Sequence, residues 1–421
     1  MYVTGNTSSA DFPTTAGAFQ TVCPGGCTYN HGFVSKIGRF RTSTSLLSSL
    51  NPSIYGQSVT FTATVTPTGT TSPPSGTVTF KNGASTLGTA TIISGSAKFT
   101  TSTLAVGTQS ITAAYSGDTN FSNSTSAPLA QLVNQASSNT SVASSANPSE
   151  WGAAVTFTAT VTTAEGTLPT GTVTFEDGAT TLGTGTLSGG TATFNTSSLA
   201  VGAHSITAVY AGDANTVGST SPVLTQTVNK AVTATTLTAT PNPSQFNQKV
   251  VLKAAVTSTT GAIPVGRVTF KDGATTLRTV ALASGTASFS VSTLAVGAHS
   301  ITAVYGGGTD FKTSTSAPVN LTVNTAKTTT KLTSTPNPSN SGQAVTFTAT
   351  VTGAFGGSPS GSVTFRDGTT TIGTVAVNTT THQAQFVTSK LSVGTHNIRA
   401  VYGGDTNYLT STSAIVKQVV Q

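Results

Sequence analysis

Eleven acidic residues, five histidines and two cysteines are the groups in this 421-residue chain that could carry acid–base, nucleophilic or metal chemistry. Hydrolysis by paired carboxylates needs two acids held on either side of a bond. The acids here follow a different rule. Asp177, Asp272 and Asp367 each precede a glycine between two strand-like runs, while Asp118, Asp213, Asp310 and Asp405 lie just beyond a recurring tyrosine. Asp11, Glu150, Glu165 and Glu176 form no recurrent pair. His204, His299 and His396 occupy one repeated position, and His31 and His382 stand alone. A histidine repeated in this way reads as a corner hydrogen-bonder rather than a general base. The G-D-T-N loops at 117–120 and 404–407 offer one carboxylate each, whereas calcium takes about six to eight oxygens. The sequence therefore presents no catalytic residue and no metal set, and no cofactor is expected.

Cys23 and Cys27 form CPGGC with only His31 nearby, short of the four ligands of a structural zinc. Two readings stand for them: a small-loop disulfide in an oxidising compartment, or a pair of free thiols in a surface insertion.

The elements behind the acids and histidines come from a repeat. Leu199 to Asp213, LAVGAHSITAVYAGD, has copies beginning at Leu104, Leu294 and Leu391, spaced 95, 95 and 97 residues apart. Each unit also carries Asn-Pro-Ser (51, 147, 242 and 337), then an alternating run such as VTFTATV (59–65), then GTVTF followed by Asn-Gly or Asp-Gly. Period two over seven residues marks a half-buried strand. Proline in Asn-Pro-Ser marks an edge strand ending in a turn. The Asn-Gly and Asp-Gly pairs are expected at the centre of type I′ hairpins. In the opening motif Leu199, Ile206, Ala208 and Tyr210 are expected to face a core, with Asp213 closing a turn. About seven short strands per unit and no helical period predict an all-β chain of four antiparallel sandwiches in an elongated array. The units are 42–135, 136–230, 231–325 and 326–421, after a short β-rich segment, 1–41.

These motifs resemble the bacterial immunoglobulin-like repeat domains found in tandem in large surface and secreted proteins. The resemblance covers residues 42–421 and implies that the Ile-Ala-Tyr run is strand F, with the leucine ending strand E. Members of that family often carry a corner tyrosine where this chain has Gln109, His204, His299 and His396, and imidazole could take over its hydrogen bond. GNTSSADFPTT, AGAFQ and GFVSKI, within residues 1–38, resemble one unit of the SBBP repeats, which implies a β-propeller blade. A single blade cannot bury both its faces, so the chain is expected to continue upstream.

Charge sets bounds on partners. Only 7% of residues are charged and the net charge is +7. The densest basic group is Lys36, Arg39 and Arg41, without the aromatic interleaving of a nucleic-acid surface. No run approaches the roughly 18 to 20 apolar residues of a spanning helix. Met1 to Gln20 lacks the basic start and apolar run of a secretory signal. Either the chain is cytoplasmic or it is the downstream part of a longer one, and an extracellular or cell-surface location is the expectation. Two residues after Asn-Pro-Ser stand Tyr55, Trp151 and Phe246, but Ser341 in the last unit. The three aromatics are expected to pack at junctions with the next unit, the last unit having no following neighbour. The sequence thus predicts a non-enzymatic stalk that presents an upstream domain. An adhesin or carbohydrate-binding region, or an accessory region of a secreted enzyme, are the alternatives. The partners expected are the neighbouring units, with weak contacts to surface glycans or proteins.

Overall fold

The computed structural model describes residues 2–7, 31–36 and 38–421, all as strands, turns and loops. CPGGC and most of the blade-like segment lie outside the described residues. Two strands of that segment are seen, β1 (Tyr2–Thr7) and β2 (His31–Lys36), paired antiparallel.

The first repeat shows how the sequence builds each sandwich. It contains β3 (Thr42–Ser48), β4 (Ser53–Ile54), β5 (Val59–Pro67), β6 (Thr77–Asn82), β7 (Ser85–Thr91), β8 (Ser96–Thr101), β9 (Gly107–Tyr115), β10 (Ser124–Thr125) and β11 (Leu129–Asn134). One sheet runs β3-β5-β8. The other runs β4-β11-β9-β6-β7, with β10 also on β9. Alternation puts Val59, Phe61, Ala63 and Val65 of β5 opposite Val78 and Phe80 of β6 and Ile111, Ala113 and Tyr115 of β9, all buried in one core. β-Branched threonines fill the outward positions, where a half-buried pleated surface favours them. The third repeat has the same strand order. In the fourth, Gly394–Tyr402 pairs with Ser362–Asp367 on one side and Val416–Val420 on the other.

By backbone packing the chain groups into two units, one of residues 1–145, 156–195 and 205–225, the other of residues 146–155, 196–204 and 226–421. The third and fourth repeats each have their own core within the second unit.

Two turns differ from the sequence expectation. Asn82 pairs with Ser85, so the hairpin loop is Gly83-Ala84, with Gly83 at φ +56° and Ala84 outside the positive-φ region. Glycine at the first central position is the type II′ pattern, not I′. Gly178, Gly273 and Gly368 behave alike, at φ +58°, +53° and +58°. The Asn or Asp therefore stays on its strand, and its side chain bonds to the neighbouring strand, at Gln109, Ser205, His299 and His396 in turn. Likewise Asn-Pro-Ser does not simply end a strand. Its Asn-Pro bond is cis, and the chain passes from the edge of one sheet (β3) to the edge of the other (β4), where Ser53 and Ile54 pair parallel with Val133 and Asn134.

Candidate functional site

The repeated histidine position lies at the start of the Ile-Ala-Tyr strand, two residues before the isoleucine that pairs with the hairpin aspartate. His299 places Nε2 2.8 Å from the Ala295 carbonyl oxygen and Nδ1 2.6 Å from Asp272 Oδ2. His396 repeats this with Ser392 O at 2.8 Å and Asp367 Oδ2 at 2.6 Å. His204 Nε2 lies 2.8 Å from Ala200 O. Both ring nitrogens of His299 and His396 face acceptors, and a neutral imidazole has only one N–H to give. The imidazolium completes both bonds. Burial opposes the charge on His299, but the Ala295 carbonyl and the Asp272 carboxylate prevail and raise its pKa. At His396 the Ser392 carbonyl and Asp367 raise it against burial. The first repeat builds the same corner without charge: Gln109 Nε2 donates to Ala105 O at 2.9 Å, and Asn82 Nδ2 donates to Gln109 Oε1 at 2.7 Å.

The aspartates beyond the tyrosine do more than close a turn. Asp213 Oδ2 accepts from Thr170 N at 2.8 Å and Thr170 Oγ1 at 2.7 Å, and Oδ1 accepts from Asn215 N at 2.8 Å. Asp118 is held in this way by Ser75, Asn120 and Phe121, and Asp405 by Ser360, Asn407 and Tyr408. Burial works against their ionisation, yet these donors outweigh it, lowering Asp213 to about 2 and depressing Asp118 and Asp405 as well. Both oxygens of each carboxylate are thus engaged by protein donors. Nearby, burial and then the Asp213 charge push Tyr210 up to about 12. The third repeat drops both ends of the clamp, with Val265 and Gly308 in place of the Ser/Thr and Asp, and the Tyr305 hydroxyl donates to Val265 O at 2.6 Å. Leu199, Ile206, Ala208 and Tyr210 are all buried.

Sequence reading missed a third device, the clamp at the strand switch. The Asn of Asn-Pro-Ser acts as an extra peptide unit: Asn51 Nδ2 donates to Ala130 O at 2.8 Å, and Leu132 N donates to Asn51 Oδ1 at 3.0 Å. Asn242 and Asn337 do the same. Beneath it, fully buried Gln131 donates to Leu50 O at 2.8 Å and accepts from Ser48 Oγ at 2.6 Å. A glutamine at an alternating inward position was the available signal.

At the junctions, Trp151 packs against the core of the third repeat, its ring 5.1 Å from Phe311 and edge-on at 73°. Beside it Glu150 accepts from Thr259 Oγ1, and Gly152 lies against Thr260 and Ala262. Phe246 packs against the core of the fourth repeat, 5.5 Å from Tyr408 at 87°. Asn247 Nδ2 donates to Tyr408 Oη at 3.2 Å and to Gly356 O at 3.3 Å. Tyr55 packs on the core of its own repeat, and its neighbour Gly56 abuts the Thr167 side chain of the second repeat. The position of Phe311 and Tyr408 is Thr216 there, so no ring is offered to Tyr55 from that site. Sequence reading also missed Phe40. It bridges to Phe121 at the position where later repeats have buried Ala136, Ala231 and Ala326, and its ring lies 6.0 Å from Phe121.

Geometry and recurrence together define a tandem array of immunoglobulin-like β-sandwiches. The family model for the bacterial Ig-like domain (group 3) matches four times, at residues 46–134, 142–229, 237–324 and 332–421, and the chain belongs to that family. No curated protein matches the chain. Among solved structures it is similar to the fibronectin(III)-like modules of Clostridium thermocellum CbhA, at 21% identity over 43% of this chain and 92% of that one, with a TM-score of 0.19. It is also similar to the Escherichia coli adhesin FdeC, at 16% identity over 66% and 96% with a TM-score of 0.25. The I9–I11 tandem of titin is similar at 12% identity over 66% and 99%, with a TM-score of 0.24. Among the described residues no helix is long and apolar enough to cross a membrane.

Proposed function

We propose that these repeats are a non-enzymatic structural spacer in a bacterial surface or secreted protein. The observation that carries this reading is the packing of Trp151 on Phe311 and of Phe246 on Tyr408. Aromatic rings spent on joining one sandwich to the next favour a structural duty over a ligand-stacking one. The engagement of Asp118, Asp213 and Asp405 in clamps and of His299 and His396 in corners points the same way, because protein groups already occupy these side chains.

Two measurements test the proposal. Stretching the full chain between its ends should give four separate force peaks, one for each repeat of about 95 residues, each releasing roughly 300 Å of contour. A single low-force event would exclude a mechanical spacer. Antibodies to the repeats should label intact bacterial cells or detect the protein in culture medium. Labelling that requires lysis would overturn the surface or secreted location.

A further inference from the structure

The outward face of the larger sheet in the fourth repeat carries positive charge without a counter-ion. Arg366 stands directly opposite Arg399 in the antiparallel register. Lys417 stands opposite Asn397, two residues along the strand from Arg399. Phe365, Ile398, Ala400 and Gln418, their neighbours in sequence, are buried, so alternation turns the three cations to the other face. Like charges directly opposite on a sheet are destabilising. Neither arginine has an ion-pair partner among the described residues, and Arg399 Nε is enclosed with no hydrogen-bond acceptor. The adjacent carboxylate, Asp367, is already held by His396 and the Asn397 N–H.

The fold does not require this arrangement. At the Arg399 position the other repeats have Thr112, Thr207 and Thr302, and at the Arg366 position Lys81, Glu176 and Lys271. Two facing guanidiniums form a fork that suits a carboxylate or sulfate. Around them the face offers hydroxyls and an amide, Thr364, Thr374 and Asn397, which suit sugar hydroxyls. Its outward positions on Ser362–Asp367, Gly394–Tyr402 and Val416–Val420 carry no aromatic ring, which a single-stranded nucleic acid would need for base stacking. We propose that this face binds an acidic polysaccharide, with Arg366 and Arg399 holding one anionic group between them and Lys417 the next. The proposal is independent of the spacer reading.

The test is binding of the full chain to immobilised dextran sulfate and polygalacturonate, with neutral dextran and oligo(dT) as references. Binding to either acidic polymer, weakening with salt, is expected, and which polymer binds distinguishes sulfate from carboxylate. R366E/R399T introduces residues found at the same positions of sibling repeats and should weaken binding about tenfold or more, as loss of a charge-assisted fork requires. K327T/K331T/K390T lowers the net charge by the same amount elsewhere in the repeat and should leave binding within about twofold, since those lysines lie off the face. R399T alone gives an intermediate loss if the double variant misfolds. No binding to either acidic polymer, equal weakening by the lysine variant, or tighter binding to oligo(dT) would each overturn the proposal.

Discussion

Gln131 is fully buried, and its amide reaches both the Leu50 carbonyl and the Ser48 hydroxyl. Gln226 and Gln418 occupy the same site in the second and fourth repeats, but the third has Leu321, with Ala239 in place of the serine. The repeats thus contain their own double mutant. Gln131→Leu alone leaves the buried Ser53 hydroxyl without its partner, while Ser48 Oγ still donates to Leu50 O at 2.9 Å, and should cost about 1–3 kcal/mol. Adding Ser53→Ala, which removes the orphaned hydroxyl, should return stability to within about 1 kcal/mol of the parent. Denaturation followed by amide exchange in β11 measures both. In the third repeat the change has left Ser244 Oγ buried without a partner. A second residue-scale prediction concerns pH. The pKa values of His299 and His396 are raised in the folded state, so their stabilisation is full below the unfolded value of about 6.5 and is lost as pH rises through the folded value. The D272N/H299Q variant, which copies the Asn82–Gln109 corner, should keep the corner and abolish that dependence in the third repeat. NMR titration of both rings, with thermal unfolding across the same range, checks it. A ring that titrates at or below its unfolded value would refute the charged corner.

At the scale of elements, the outer strand of the hairpin in the first, second and fourth repeats lies over a phenylalanine of the other sheet at a glycine. A Cβ on Gly183 would fall 2.3 Å from the Phe194 ring, and Phe194 stacks on Phe175 at 5.8 Å and 25°. Gly88 and Gly373 meet Phe99 and Phe386 in the same way. In the third repeat Arg278 stands at this position, and Phe289 is edge-on to Phe270 at 5.1 Å and 64°. The side chain and the ring orientation change together. Gly183→Ala should therefore turn Phe194 towards the edge-on geometry and cost about 1–3 kcal/mol of overpacking, visible as a ring-current shift at Phe175. An unmoved ring with unchanged stability would exclude the contact as the cause. The strands themselves were legible in the sequence, because alternation over runs such as Val59 to Val65 fixes both the element and its buried face. Turn chemistry was less so. Asp-Gly signals a hairpin, but whether aspartate or glycine takes the first central position depends on what the aspartate can reach across the sheet, here the corner histidine. The Gln131 clamp left one trace in the sequence, a glutamine at an inward position of an alternating run, but its partners across the sandwich follow no local period.

For the molecule as a whole, near-identical repeats differ in how they respond to their surroundings. The second repeat sets Lys230 against Glu150, Glu165, Glu176, Asp177 and Asp213, while the third and fourth are basic. The overall +7 therefore conceals an acidic repeat beside basic ones. The acid clamps divide the repeats differently. Asp118, Asp213 and Asp405 have depressed pKa values in the first, second and fourth repeats, and the third has Gly308 at that site. A carboxylate whose pKa is lowered by folding stabilises the fold above its unfolded value of about 3.9, and that stabilisation disappears as pH falls through the folded value. For Asp213, at about 2, the loss falls between roughly pH 4 and pH 2. The third repeat has no such clamp to lose. Its Tyr305–Val265 bond joins a phenol to a backbone carbonyl, and neither group titrates in acid. Between pH 4 and pH 2 the first, second and fourth repeats should lose amide protection in the loop that follows the Ile-Ala-Tyr strand while the third retains it. Asp405→Asn should move the fourth repeat towards the acid response of the third, at a cost to its stability at neutral pH. Hydrogen exchange resolved by repeat decides the matter, and an equal loss in all four would place the acid response in the shared core instead of the clamps.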